Sequence, residues 1–387
     1  MFHINHDIAV SRRLRATPFT SRVRAAGVTS FTVYNHMLLP AVFVSPEEDC
    51  RHLYEAVQVW DVGAERQVEI EGPDATKLVQ WMTPRDVSAV TGDRCVYLPL
   101  ADEDGRLVND PVGIRHEENR WWLSVADSDV LLWARGLARG AGLDVRVHEP
   151  DVWPLAVQGP KADDLMARVF GEEVRDIRFF RHRPLDFRGH PFTVSRSGWS
   201  KQGGFEVYVD DAVLGVALWD SLFEAGEDLD VRAGCPNPVE RMESALLSYG
   251  NDMDARHSPL EAGLGAYCSL DADIDSLSLT ALRAERDAEP RRHLRGLVLA
   301  APDAARPFAT DPFGHGVFAV ATDAGDSFVG SQAWSPRYGH QLATAMLDEP
   351  LASATSIGIV LADGTTAEAQ VSDLPFDLAA LSAARQG

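Results

Sequence analysis

Apolar and polar positions along the chain repeat one combined pattern. Residues 68–79 read VEIEGPDATKLV and residues 155–166 read LAVQGPKADDLM. Each is a short β-type run, then Gly-Pro, then a helical pattern. Glycine supplies the tight turn and proline suits the first turn of a helix. Gly72-Pro73 and Gly159-Pro160 therefore predict two similar strand–turn–helix units, 87 residues apart. Two copies point to two related α+β modules, since a solenoid needs three or more regular repeats.

After the first unit, VYLPL (96–100), a DEDG turn (102–105), LVNDPVGIR and WWLSVAD predict a run of antiparallel strands. Residues 128–142 predict a helix ending in glycines, and 191–209 two strands around a glycine-containing loop. A helix is expected over 213–226. Asn237 as N-cap, Pro238 at the first helical position and Glu240 at the third start another, carrying RMESALLSY and stopping at Gly250. Residues 271–292 are polar with charges of both signs and read as a linker. Beyond them LRGLVLAA, GHGVFAVAT, SFVGSQAW, SIGIVLA and AEAQVS predict short strands of a small β-barrel or sandwich.

Composition narrows the picture. A chain of 387 residues suggests two or three domains, and 45% apolar residues supply sizeable cores and exclude intrinsic disorder. No stretch approaches 18 consecutive apolar residues, so no transmembrane helix is expected. The N-terminus has no apolar core of signal-peptide type, which predicts a cytoplasmic protein with no membrane partner. A net charge of −22 argues against binding nucleic acid. Cys50, Cys95, Cys235 and Cys268 are widely spaced and read as buried apolar residues, not as a zinc site or disulfide framework. His3, His6, His182 and His190 read as loop or surface histidines, and no metal spacing occurs. Neither a G-x-G-x-x-G nor a P-loop is present.

WDVGAERQVEIEGPDA, LAVQGPKA, GGFEVYV, ERMESALLSYG and SQAWSPRYG resemble the glycine-cleavage T-protein superfamily of tetrahydrofolate-dependent one-carbon transferases. Within it RRLRATPFTSRV, FTVYNHMLLPAVF, LVNDPV, RWWLSVADSD, GWSKQGGFEVY and LLSYGNDM resemble the dimethylsulfoniopropionate demethylase branch. The resemblance implies an α+β, three-domain cloverleaf with folate in a central channel and a C-terminal β-barrel. Residues 1–52 plus 151–270 would form a discontinuous folate-binding domain, 53–150 an inserted α+β domain, and 290–387 the barrel. The implied reaction moves a methyl group from dimethylsulfoniopropionate to tetrahydrofolate, leaving methylthiopropionate. An aminomethyltransferase, a demethylase of another methylated donor, or a non-catalytic folate-binding protein remain alternatives. The sequence does not read out the oligomeric state, a homodimer being one option.

Several residues carry that chemistry. On the strand GGFEVYV, Phe205, Val207 and Val209 face one way, so Glu206 and Tyr208 face the other together. A carboxylate accepts two hydrogen bonds from the amino group and ring N–H of a pterin. The resemblance gives Glu206 this role, with the Tyr208 hydroxyl beside it. Trp199 offers an aromatic face to a methylated sulfonium or ammonium, and Phe19, Tyr34 and Phe180 could complete the box. Asn109-Asp110 stands where the T-protein carries two acidic residues. The amide at Asn109 removes a charge from the site and speaks against aminomethyl transfer, while Asp110 is expected near the substrate cation. Arg241 and Glu243 on the capped helix are expected to wall the folate channel. Lys201 or Arg15 is expected to hold the donor carboxylate, and Arg337 the folate tail.

Overall fold

Both Gly-Pro segments fold as strand, turn and helix in the computed structural model, which describes residues 11–300, 327–361, 364–377 and 379. Gln67–Glu71 leads to the helix Ala75–Met82, and Trp153–Gln158 leads to Ala162–Phe170. Gly72 has φ +128° and Gly159 φ +122°, and a Cβ there would lie 2.6 Å from the Asp144 carbonyl oxygen and 2.4 Å from that of Ala56. Those two carbonyls accept from the N–H groups of Asp74 and Lys161, at 3.3 and 3.2 Å. The two turns are thus equivalent, each letting a distant carbonyl close onto the helix start, which a side chain would block. The prolines stand one residue ahead of the N-caps Asp74 and Lys161 rather than inside the first turn.

Each unit lies in its own sheet. The first is five-stranded, in the order Arg146–His148, Gln67–Glu71, Arg120–Ser124, Val112–Glu117, Cys95–Tyr97. Ala75–Met82 and Val130–Gly140 bury Leu78, Met82, Val130 and Ala134 against Ile70, Trp121 and Leu123 of its inner face. The second is six-stranded, in the order His182–Phe187, His190–Ser195, Gly204–Val209, Trp153–Gln158, Val57–Asp61, Val231–Gly234. Its last pair alone is parallel. Ala162–Phe170 and Ala212–Ala225 cover Val157, Val194, Phe205, Val207 and Val209. Strand Val57–Asp61, which a boundary at residue 53 would assign to the inserted unit, pairs here with Trp153–Gln158 and Val231–Gly234.

The C-terminal sheet is antiparallel, in the order Phe328–Ser335, His340–Asp348, Arg292–Ala300, Thr366–Ser372, Ser356–Val360. Among the described residues these five strands do not close into a ring, so the expected barrel is not seen there. The segment GHGVFAVAT lies outside the described residues. His340–Asp348 is a strand the turn-based reading missed; it is buried through Leu347, and its run of small and apolar residues shows no alternation.

Two further expectations change. The 271–292 segment contains the helix Leu279–Ala288, whose Leu279 and Leu282, three apart, join Leu270 in a small core. The Asn237-capped helix spans Pro238–Ser244 only, with Asn237 Oδ1 accepting from the N–H groups of Val239 and Glu240 at 2.9 and 3.1 Å. Ala245 then turns left-handed at φ +50°, and Ala245–Asn251 forms cavity wall instead of further helix. No helix among the described residues is long and apolar enough to cross a membrane.

Candidate active site

A cavity of about 2160 Å³ opens between the three sheets. Its wall includes Tyr34, Glu65, Tyr97, Asp110, Asp127 and Phe180, then Trp199, Lys201, Glu206, Tyr208 and Arg241, and Leu374 from the C-terminal unit.

Glu206 and Tyr208 reach it together, because strand alternation sends Phe205, Val207 and Val209 into the helix-covered core. Register places Glu206 opposite Ser195 and Ala156. The Ser197 hydroxyl donates to Glu206 Oε2, the Tyr208 hydroxyl lies 3.5 Å from the same oxygen, and Ser195 and Ser197 hydroxyls are 2.5 Å apart. Burial pushes the Glu206 carboxyl up, and these hydroxyl donors partly oppose it. Burial pushes the Tyr208 phenol well up, aided by Glu206.

Asp110 faces the cavity and accepts from the Tyr97 hydroxyl at 2.8 Å. Burial raises its carboxyl to about 7, so it gains and loses a proton near neutrality. The Tyr97 ring meets Tyr267 edge-on at 4.9 Å, and Arg85 lies 5.3 Å from the Tyr267 centroid while donating to the Tyr97 carbonyl at 2.9 Å.

Asn109, its neighbour, does not reach the cavity. It is fully buried, donates through Nδ2 to the Ala126 carbonyl (3.1 Å) and the Ser128 hydroxyl (2.8 Å), and accepts from the Ala126 N–H (3.1 Å). Asn109 ends the strand Leu107–Asn109 and Asp110 lies just beyond it, so the two side chains enter different surroundings. The Asn109 amide therefore supports the 126–128 loop. That loop in turn holds Asn35: Ser128 N–H donates to Asn35 Oδ1 at 3.2 Å, and Asp127 Oδ1 accepts from Asn35 N–H at 2.9 Å. Asn35 Nδ2 spans to the carbonyls of Ala64 and Val125 at 3.0 and 3.1 Å. Asn35 and His36 form the left-handed tip of the hairpin Ser30–Tyr34 and Met37–Val42, and this network fixes Tyr34 at the cavity wall.

Arg241 lines the cavity, yet its guanidinium is held by the buried Asp252, the Leu246 carbonyl and the Ser331 hydroxyl. It also lies 5.4 Å from the Trp199 ring centroid, so a protein cation already occupies that aromatic neighbourhood. Trp199 Nε1 donates to the Leu247 carbonyl at 3.3 Å. Lys201 is exposed at the wall, its loop tied by a bond from its N–H to Glu240 Oε1 at 2.9 Å.

Phe19 is a correction: it is fully buried beneath Ala212–Ala225, stacked on Trp219 at 6.0 Å, and does not line the cavity. Arg15 pairs with Glu149 at 2.8 Å, and Arg337 lies over the rings of Tyr54 and Tyr338; neither lines the cavity. Nor does Glu243, which accepts from Tyr54 and from Ser335 at 2.6 Å. His190 meets Asp210 at 2.7 Å near the surface, whereas His182 is buried beside the Arg115 carbonyl, and His3 and His6 lie outside the described residues. Cys50, Cys95 and Cys235 are buried, and Cys268 partly so. Glu65, Ser197, Tyr97 and Tyr267 escaped the sequence reading. Tyr97 stands opposite Val112 in the sheet and reaches Asp110 only through its hydroxyl, a relation that no local pattern carries.

A family model described as the GCVT N-terminal domain matches residues 19–272. The chain is 51% identical over 342 residues to the dimethylsulfoniopropionate demethylase of Ruegeria pomeroyi, covering 88% of this chain and 92% of that protein. It is 28% identical over 368 residues to the aminomethyltransferase of Moorella thermoacetica, covering 94% and 98%. The crystal structure of the glycine cleavage system aminomethyltransferase T from Bartonella henselae superposes with a TM-score of 0.77 at 20% identity, covering 94% and 98%.

Proposed function

The chain belongs to the GCVT family of tetrahydrofolate-dependent enzymes, and we propose that it demethylates dimethylsulfoniopropionate, with tetrahydrofolate as methyl acceptor and methylthiopropionate as the second product. The observation that carries this reading is the 51% identity to a dimethylsulfoniopropionate demethylase across 88% of the chain. The cavity agrees with it: it is roomy enough for both reactants and presents a buried carboxylate to a pterin.

In this reading Glu206 would accept from the pterin amino group and ring N–H, with Tyr208 and Ser197 holding the carboxylate in place. Tetrahydrofolate supplies the lone pair of N5. The sulfonium departs as a neutral thioether keeping the S–C electron pair, so no acid must protonate it. What the protein supplies is alignment, holding nucleophile and methyl carbon at about 3 to 3.5 Å in line. Tyr34, Phe180 and Trp199 would wall the donor, and Lys201 would meet its carboxylate. Asp110 would lie beside the reacting groups, where its carboxyl near neutrality can take the proton released from N5. We assign the three sheets to three domains, and the reaction to the cytoplasm with small molecules as its partners.

The test is incubation with dimethylsulfoniopropionate and tetrahydrofolate. One 5-methyltetrahydrofolate per methylthiopropionate is expected, without flavin or nicotinamide. Formation of 5,10-methylene folate, or folate binding with no turnover of this donor, overturns the reading.

A further inference from the structure

Five carboxylates line the cavity among the described residues, and four have protein partners. Glu206 has Ser197, Asp110 has Tyr97, Asp127 accepts from the Asn35 N–H, and Asp373 pairs with Arg295 at 2.6 Å. The fifth, Glu65, has no hydrogen-bond or ion-pair partner for its carboxylate among the described residues.

Its backbone is nevertheless fixed. The Glu65 N–H donates to the Val62 carbonyl at 2.9 Å, its carbonyl accepts from Gln67 Nε2 at 2.9 Å, and the preceding Ala64 carbonyl is bonded to Asn35. Burial and repulsion from Glu206 push its carboxyl up to about 8, with no cation offsetting them. Glu65 contributes in turn to raising the phenols of Tyr34 and Tyr208. Without a ligand this raised carboxyl keeps its proton near neutrality, and a positively charged ligand in the cavity would stabilise its ionised form instead.

Building on the demethylase reading, we propose that Glu65 receives the positive sulfonium of the donor, between the rings of Tyr34 and Tyr208, and so selects cationic methyl donors over neutral ones. The assignment also explains product release. When the methyl group leaves, sulfur keeps the bonding pair and becomes neutral, and the attraction to Glu65 ends with the reaction.

The test compares dimethylsulfoniopropionate with its neutral isostere 4-methylpentanoate, in which a C–H replaces the sulfonium. Dissociation constants are measured calorimetrically on the full chain, wild type and Glu65→Gln. The wild type should bind the sulfonium at least ten-fold more tightly than the isostere. Glu65→Gln should reduce that ratio about ten-fold while binding of the isostere and of tetrahydrofolate stays unchanged; Glu65→Asp should retain part of it. Equal binding of both ligands by the wild type overturns the proposal. So does an undiminished ratio in Glu65→Gln, or a loss confined to folate. A failure of the demethylase reading shows separately, as absence of turnover with the ratio intact in the wild type and lost in the variant.

Discussion

Arg241 and Asp252 form a buried two-point ion pair, Nη1 and Nη2 each 2.9 Å from Oδ2, with Nη2 also 3.2 Å from Oδ1. Asp252 also accepts from Thr344 at 2.5 Å and from the Ser248 N–H at 2.8 Å, so the pair ties the Pro238–Ser244 helix to the C-terminal sheet.

Breaking one side of such a pair strands a buried charge, at a cost of about 3–5 kcal/mol. Arg241→Met should therefore lower the melting temperature by several degrees. The double variant Arg241→Met/Asp252→Leu should recover only part of that loss, because the Ser248 N–H and Thr344 hydroxyl then lack an acceptor. Thermal melts of both decide it, and an unchanged melting temperature in the single variant removes the structural role.

Glu206→Gln should weaken tetrahydrofolate binding about ten- to a hundred-fold, the consequence of losing a charged hydrogen bond worth about 1.5–3 kcal/mol. Donor binding should hardly change. Calorimetry with each ligand reads both, and unaltered folate affinity takes Glu206 out of the pterin site.

Asn109→Asp introduces the acid that the resemblance to T-proteins implies at this position, yet it should not confer aminomethyl transfer. The new oxygen would face the Ala126 carbonyl where Nδ2 now donates. An unsatisfied buried acceptor costs about 1–3 kcal/mol. A lower melting temperature with no methylene folate formed is expected; methylene folate production would return Asn109 to the reaction centre.

The Asp110 carboxyl lies near 7 in the fold against about 4 unfolded. The folded protein holds the extra proton between those values, so this residue's contribution to stability is full at low pH and declines as pH rises from about 4 to 7. Asp110→Asn should flatten that decline. Denaturant midpoints at pH 5 and pH 7.5 test it: the difference between wild type and variant must widen at the higher pH, with the wild type the weaker.

Much of this was legible locally. The Gly-Pro turns, the Asn237 cap and the alternation of Glu206 and Tyr208 against Phe205, Val207 and Val209 are set by backbone geometry within a few residues. Such constraints depend on neighbours in the chain, so the sequence alone determined them, and with them the α+β class and the pairing of Glu206 with Tyr208. What faces what across the cavity depends on long-range packing. Adjacent Asn109 and Asp110 divide between scaffold and cavity, Asn109 bonded to the 126–128 loop and Asp110 to Tyr97. Phe19 is drawn under a helix by Trp219, while Arg241 spends its charge on Asp252, eleven residues on. Glu65 acquires its isolation only because Arg66 turns away to Glu149 and Glu206 arrives from a strand over a hundred residues later. Whether a charge is paired, buried or left for a ligand is a property of its three-dimensional surroundings, and only the tertiary structure decided it.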